Sequence, residues 1–224
     1  MKAMILAAGL GTRMRPLTDH LPKPLLPVAG KPLIVWHIEA LAAAGVVDLV
    51  INAAHRAAQL QSALGDGSAW GVRIAWSLEE PPLETAGGLI AALPLLGERP
   101  FLVINGDVWW RPRWQELCAP LTAGDVARLT LVDNPAQHPA GDFHLQDGRV
   151  SEQGSPRLTF AGISLIDPAL FSGLAAGVRP LAPVLRTAMQ QGRVAGWHHH
   201  GAWVDVGTPQ RLHDLTAALH AGTC

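Results

Sequence analysis

Leu6-Ala7-Ala8-Gly9-Leu10-Gly11-Thr12-Arg13-Met14-Arg15-Pro16, closed by Leu21-Pro22-Lys23-Pro24-Leu25, is the stretch on which the rest of the chain depends. An apolar run from Ala3 to Ala8 precedes the glycines and reads as a buried strand. Gly9 and Gly11 then let the backbone turn sharply and expose N–H groups with no side chain in the way. Arg13, Arg15 and Lys23 place positive charge beside that turn. Bare amides next to fixed cations make a site for a polyanion such as a nucleoside triphosphate.

Two well-known phosphate loops are excluded. The dinucleotide spacing Gly-x-Gly-x-x-Gly requires glycine at position 14, where Met14 stands, and no Gly-Lys-Ser/Thr triplet of the Walker type occurs. Taken alone, the two glycines also suit a plain turn at a strand end. The added Thr-Arg-x-Arg-Pro and Pro-Lys-Pro-Leu favour the anion site.

The chain has 224 residues, 49% of them hydrophobic, enough for one large domain with a substantial core. A net charge of −1 supplies no global field toward nucleic acid or an anionic membrane. Charge for an anionic ligand must therefore be local, and all three lysines (Lys2, Lys23, Lys31) lie in the first 31 residues. No apolar run is long enough to span a bilayer, so a soluble, cytoplasmic protein is expected. Cys118 and Cys224 fit neither a disulfide framework nor a zinc site.

Beyond the loop, periodicity alternates. Residues 32–44 predict a helix opened by Pro32 and ended by Gly45, with Leu33, Trp36, Leu41 and Ala44 on one face. Residues 46–51 and 72–77 predict buried strands on either side of a helix over 56–64. This is the pattern of α/β layering on a largely parallel sheet. In Glu80-Pro81-Pro82-Leu83-Glu84-Thr85-Ala86-Gly87-Gly88, Thr85 is placed to cap a helix running to about Leu93. Gly87 and Gly88 cost that helix roughly 1 kcal/mol each. Backbone bared for a flat base or sugar would explain them, as would a loose helix start.

Residues 101–108 predict a strand ending in Asn105-Gly106-Asp107, and a carboxylate at that edge suits a hard cation such as Mg²⁺ or a turn. Trp109, Trp110 and Trp114 suit a surface helix on the sheet, or a sugar-stacking platform. Residues 126–132 predict a further strand, 134–166 an inserted β region with a hairpin around Gln146-Asp147, and 181–191 a helix. His198, His199 and His200 on a strand point to alternating faces and cannot all bind one metal; they read as strand-end histidines, with zinc as the alternative. Asp205 closes a short strand, and Thr208-Pro209 opens a final helix bearing Leu212, Leu215 and Leu219.

Leu6 to Thr18 and Pro22 to Leu25 resemble, without a gap, the signature of the sugar-nucleotide pyrophosphorylases. Asn105-Gly106-Asp107 and Trp203-Val204-Asp205-Val206-Gly207-Thr208-Pro209 resemble two further motifs of that family. The resemblance implies a Rossmann-like three-layer α/β nucleotidyltransferase fold with a mixed, mostly parallel central sheet. It implies a single domain over 1–224, with the 134–166 β insertion walling a sugar pocket. The absence of a hexapeptide repeat implies no β-helix acyltransferase.

The implied reaction joins a nucleoside triphosphate to a sugar 1-phosphate with release of pyrophosphate. By resemblance Asp107 and Asp205 hold Mg²⁺, and Gly9, Gly11, Thr12 and Arg13 bind the triphosphate. Lys23 meets the α-phosphate and the incoming sugar phosphate; Arg13 and Lys23 are the catalytic cations. Glu80 and Thr85 are candidate nucleotide contacts, and Asn105, Asp142 and Glu152 candidate sugar contacts. Gln153-Gly154 replaces the Lys-Pro that usually follows the acid at the position of Glu152. The form Leu83-Glu84-Thr85-Ala86-Gly87-Gly88 resembles the branch acting on N-acetylmuramic acid 1-phosphate and some mannose 1-phosphate enzymes; the first, a uridylyl-transferring branch, implies UTP as donor. Mannose 1-phosphate, glucose 1-phosphate and phosphocholine enzymes share the motifs, as would a non-catalytic nucleotide-sugar sensor. No nucleic acid, membrane or obligate protein partner is implied.

Overall fold

The structure is a computed structural model and describes residues 1–223, so Cys224 lies outside the described residues. In chain order β1 (Lys2–Leu6) leads through two single-turn helices to a short ribbon, β2 (Pro27–Val28) with β3 (Lys31–Pro32). Then come α1 (Leu33–Ala43), β4 (Asp48–Ala53), α2 (Ala57–Leu64), β5 (Arg73–Leu78), α3 (Glu84–Leu96) and β6 (Phe101–Asn105). The second half runs β7 (Val108–Trp110), α4 (Trp114–Cys118), β8 (Ala127–Val132), β9 (Phe143–Gln146), β10 (Arg149–Ser151) and β11 (Arg157–Ile166). It closes with α5 (Leu181–Gln190), β12 (Val194–His198), β13 (Trp203–Asp205) and α6 (Pro209–His220).

The main sheet has the order β5-β4-β1-β6-β11-β8-β12-β10-β9 among the described residues. Its first four strands are parallel, with Ile5 opposite both Ile51 and Ile104, so their carboxyl ends share one edge. Alternate residues of each apolar strand enter opposite cores, as the period of two requires. Ala3, Ile5, Ile51 and Ile104 pack with Ile34 and Ile38 of α1 and Leu60 of α2. Met4, Val50 and Val103 pack with Leu89 of α3 and Leu185 of α5. This is the expected three-layer α/β arrangement.

The second half of the sheet is mixed. β11 runs antiparallel between β6 and β8, β12 is parallel to β8, and β10 and β9 follow antiparallel. The first residues of β11 also pair with β9, which closes a small ring of strands. The β region over 134–166 is therefore woven into the main sheet, since its last strand lies beside β6. The bend occurs between Phe160 and Ser164, where Gly162 adopts φ +73°. The hairpin turns at Asp147-Gly148, both with positive φ, one residue beyond the expected pair.

Trp109 and Trp110 correct the sequence reading: both are buried in a strand, not in a surface helix. β7 pairs with β13, and alternation sends Trp109 edge-on to Trp36 and Trp110 toward Trp114 and His199. A third core joins Met14 and Leu26 of the N-terminal loop to Trp109, Val206, Leu212 and Leu215. Full burial of Met14 stabilises by roughly 1.5–3 kcal/mol and pins the loop against α6.

α1 carries a fully buried histidine, His37, facing the backbone of Val108. Burial lowers its pKa from 6.5 to about 4, against weaker opposing effects of the Val108 backbone and the Asp107 charge. His37 is thus neutral in the folded protein near neutral pH, while the unfolded chain takes up its proton below about pH 6.5. Stability should fall as pH drops from about 6.5 to about 4, by roughly 2–3 kcal/mol from this group. Urea denaturation at pH 7.5 and 4.5 should show a larger loss for the wild type than for His37→Leu; equal losses would contradict the assignment.

Candidate active site

At the carboxyl edge of the parallel half a cleft of about 440 Å³ opens. Its wall is built from the turn after β1, the segment before α3 and the turn between β6 and β7. Ligand sites in open α/β sheets lie at this edge because the strand-to-helix turns diverge there.

The turn after β1 is held by two hydrogen bonds from outside it. The Ala7 amide donates to Asn52 Oδ1 at 2.7 Å, and the Thr18 hydroxyl donates to the Gly11 carbonyl at 2.9 Å. Gly11 adopts φ +64°, and a Cβ there would lie 3.1 Å from Thr18 and 3.2 Å from Lys23, so both conformation and space favour glycine. Thr12 and Arg13 begin a single helical turn and line the cleft. Arg13 makes no ion pair among the described residues, whereas Arg15, outside the cleft wall, pairs with Asp19.

Lys23 occupies the next turn with its side chain only 10% exposed, and its Nζ donates to Asp107 Oδ2 at 2.8 Å. Gly106 lets the Asp107 turn approach β1: its amide donates to the Leu6 carbonyl, and a Cβ would meet that oxygen at 2.5 Å. From the other side the Val206 amide donates to the Asp107 carbonyl at 2.8 Å, and Asp205 stands opposite Val108. Asp107, just before β7, and Asp205, the last residue of β13, thereby lie at the same end of the β7–β13 pair. Asp205 accepts a hydrogen bond from Arg211, and a Cβ at Gly207 would lie 2.8 Å from Asp205 Oδ1. Both carboxylates are partly exposed, and carboxylate oxygen is the hard donor that divalent cations such as Mg²⁺ take. Each is balanced here by a cation of the chain itself.

The opposite wall contains two residues that the sequence reading passed over. Asn52 donates to Glu79 Oε1 at 2.7 Å, and Glu79 Oε2 accepts from the Leu83 amide at 2.9 Å. Both are buried and line the cleft. Each is a polar residue at the carboxyl end of an apolar strand, which is the signal that could have found them. Glu80 is exposed and outside the wall; the ladder continues through Glu79, whose amide donates to the Ala53 carbonyl, and turns Glu79 inward.

The paired glycines of α3 also have a different cause from a ligand. A Cβ at Gly88 would lie 2.4 Å from Glu79 Oε1, and one at Gly87 would lie 2.3 Å from the Gly177 carbonyl. Thr85 lines the cleft but caps nothing: the Ala86 and Gly87 amides donate to the Arg179 carbonyl, and the helix starts at Glu84.

Gly9, Gly11, Thr12, Arg13, Lys23, Thr85, Asn105 and Asp107 are thus brought together around one cleft. The Asn105 side chain packs over Gly162, where a Cβ would lie 2.6 Å from its Nδ2. Asp142, Glu152 and Asp205 lie outside the cleft wall, to which β13's end contributes Gly207 instead. Asp142 accepts from the Phe160 amide at 2.8 Å and contacts His138, bracing the bend of β11, and Glu152 pairs with Arg186 at 3.0 Å. A loop of free amides, a free arginine and a shielded lysine can neutralise a polyphosphate and the charge that develops as it is cleaved.

A family model described as nucleotidyl transferase matches residues 2–142. The chain is 52% identical to an N-acetylmuramate alpha-1-phosphate uridylyltransferase of Neisseria meningitidis, over 99% of both chains. It is 36% identical to the protein of the same name in Caulobacter vibrioides, over 93% of this chain and 92% of that one. Its fold matches a Bacillus anthracis crystal structure provisionally assigned as a glucose-1-phosphate thymidylyltransferase. That match has a TM-score of 0.85 at 24% identity, covering 97% of this chain and 94% of the other.

Gly88→Ala should push Glu79 from the Asn52 contact, at a cost of about 1–3 kcal/mol. It should also raise KM for the nucleotide several-fold. Thermal melting and nucleotide titration check this; unchanged values for both would remove the Asn52–Glu79 pair as a determinant of the cleft.

Proposed function

The chain belongs to the nucleotidyl transferase family, and on that footing we propose that it transfers uridylyl groups from UTP to N-acetylmuramic acid α-1-phosphate. The products are UDP-N-acetylmuramic acid and pyrophosphate, and the reaction serves recycling of cell-wall peptidoglycan in the cytoplasm. The observation that carries this reading is the 52% identity, end to end, with the Neisseria enzyme of that name.

A phosphate oxygen of the sugar phosphate attacks the α-phosphorus of UTP, the bond to the bridging oxygen breaks, and pyrophosphate leaves with that electron pair. The nucleophile is already anionic, so no side chain need form a covalent intermediate. The task of the protein is to bring two polyanions together and balance charge on the transferring group. In this reading Gly9, Gly11 and Thr12 turn backbone amides toward the triphosphate, and Arg13 supplies a cation not already committed elsewhere. Asp107 and Asp205 would hold Mg²⁺, whose contribution is to neutralise triphosphate oxygens. With Asp107 so engaged, Lys23 is free to face the α-phosphate and the entering sugar phosphate. Thr85, Asn105, Asn52 and Glu79 are the groups available to the base and sugars.

Pyrophosphate release should be confined to UTP with N-acetylmuramic acid 1-phosphate when four nucleoside triphosphates are crossed with N-acetylmuramic acid, N-acetylglucosamine, glucose and mannose 1-phosphates. Preference for another pair would overturn the substrate, and silence from folded protein would overturn the enzyme reading. With the preferred pair, Lys23→Ala should lower turnover by roughly 10²–10³ while the protein stays folded.

A further inference from the structure

The three consecutive histidines take no part in the cleft, and strand geometry separates them. The His199 amide donates to the Leu131 carbonyl at 2.7 Å, carrying the parallel β8–β12 ladder one residue past the end of β12. The His199 ring points inward, 1% exposed, edge-on to Trp110 and Trp197 at centroid distances of 5.7 and 5.4 Å. His198 and His200 therefore share the other face of the strand, and their ring centroids are 3.9 Å apart.

His198 is in register with Leu131, so Asp133, two residues further along β8's path, emerges on that same face. An Asp133 carboxylate oxygen lies 3.0 Å from His198 Nε2. That approach does not follow a hydrogen-bond direction, and His198 Nε2 is shielded from solvent without a hydrogen-bond partner. One ligand atom each from Asp133, His198 and His200 lie within 4.8 Å of one another.

We propose that Asp133, His198 and His200 form a second metal site, taking Zn²⁺ or a similar borderline divalent ion. Two imidazoles and a carboxylate are the donor set that such ions favour, whereas Mg²⁺ favours oxygen alone. Bonds of about 2.0–2.2 Å draw three ligand atoms closer together than their present spread. Asp133, 81% exposed, and the exposed His200 are free to make that adjustment. Three protein ligands leave one tetrahedral position for water or a ligand group. The site stands apart from Asp107 and Asp205 in chemistry, so it does not depend on which sugar nucleotide the cleft makes.

The test uses protein without an affinity tag, in excess Mg²⁺ to saturate sites made of oxygen ligands. Zn²⁺ is titrated calorimetrically, and Co²⁺ is added as a visible probe of coordination. The wild type should take up one Zn²⁺ and give the intense Co²⁺ absorption of a low-coordinate nitrogen–oxygen site. His200→Ala and Asp133→Asn, both on the surface, should each weaken Zn²⁺ binding more than about tenfold. His213→Ala, on the exposed side of α6, should match the wild type. Absence of Zn²⁺ uptake by the wild type, or wild-type affinity in both ligand variants, would overturn the site.

Discussion

The contact between Lys23 and Asp107 is the constraint around which the molecule is arranged. An ammonium shielded to 10% exposure is costly without a counter-charge, and the carboxylate 2.8 Å away supplies it. The pair joins segments 84 residues apart in sequence. It can form because β1 and β6 are parallel neighbours in register and because Gly106 lets the following turn close onto Leu6. Met14, buried against Val206 and Leu212, holds the loop that carries the lysine. Both halves of the sheet and the final helix thus converge on one small charge balance.

That balance links fold to chemistry. Lys23 with Asp107, and Arg211 with Asp205, are each neutral as pairs, so neither leaves an uncompensated charge shielded from solvent. Arg13 and the amides of the glycine turn are left to meet an anion. In the proposed reaction the groups that stabilise the folded protein are the same ones that would meet substrate and metal.

Much of this was legible from residue order. The glycine turn, Lys23 and Asp107 are local motifs, and strand ends in α/β sheets announce where they go. What stayed hidden depends on tertiary neighbours. Glu79 rather than Glu80 enters the cleft because the β4–β5 ladder runs one residue further. Gly87 and Gly88 are bare for the Gly177 carbonyl and the Glu79 carboxylate, contacts across distant segments. Trp109 and Trp110 form a strand because β13, nearly a hundred residues later, pairs with them. His198 and His200 meet Asp133 only through the β8–β12 register, which no local pattern specifies.

The central claim is that the α-phosphorus passes directly from pyrophosphate to the sugar phosphate within a field of cations, with no covalent stop on the protein. The stereochemical course with UTP carrying a chiral α-thiophosphate tests it most directly. A single in-line displacement predicts inversion at phosphorus in the nucleotide-sugar product. Retention would require two displacements and a uridylylated side chain, and would contradict the account.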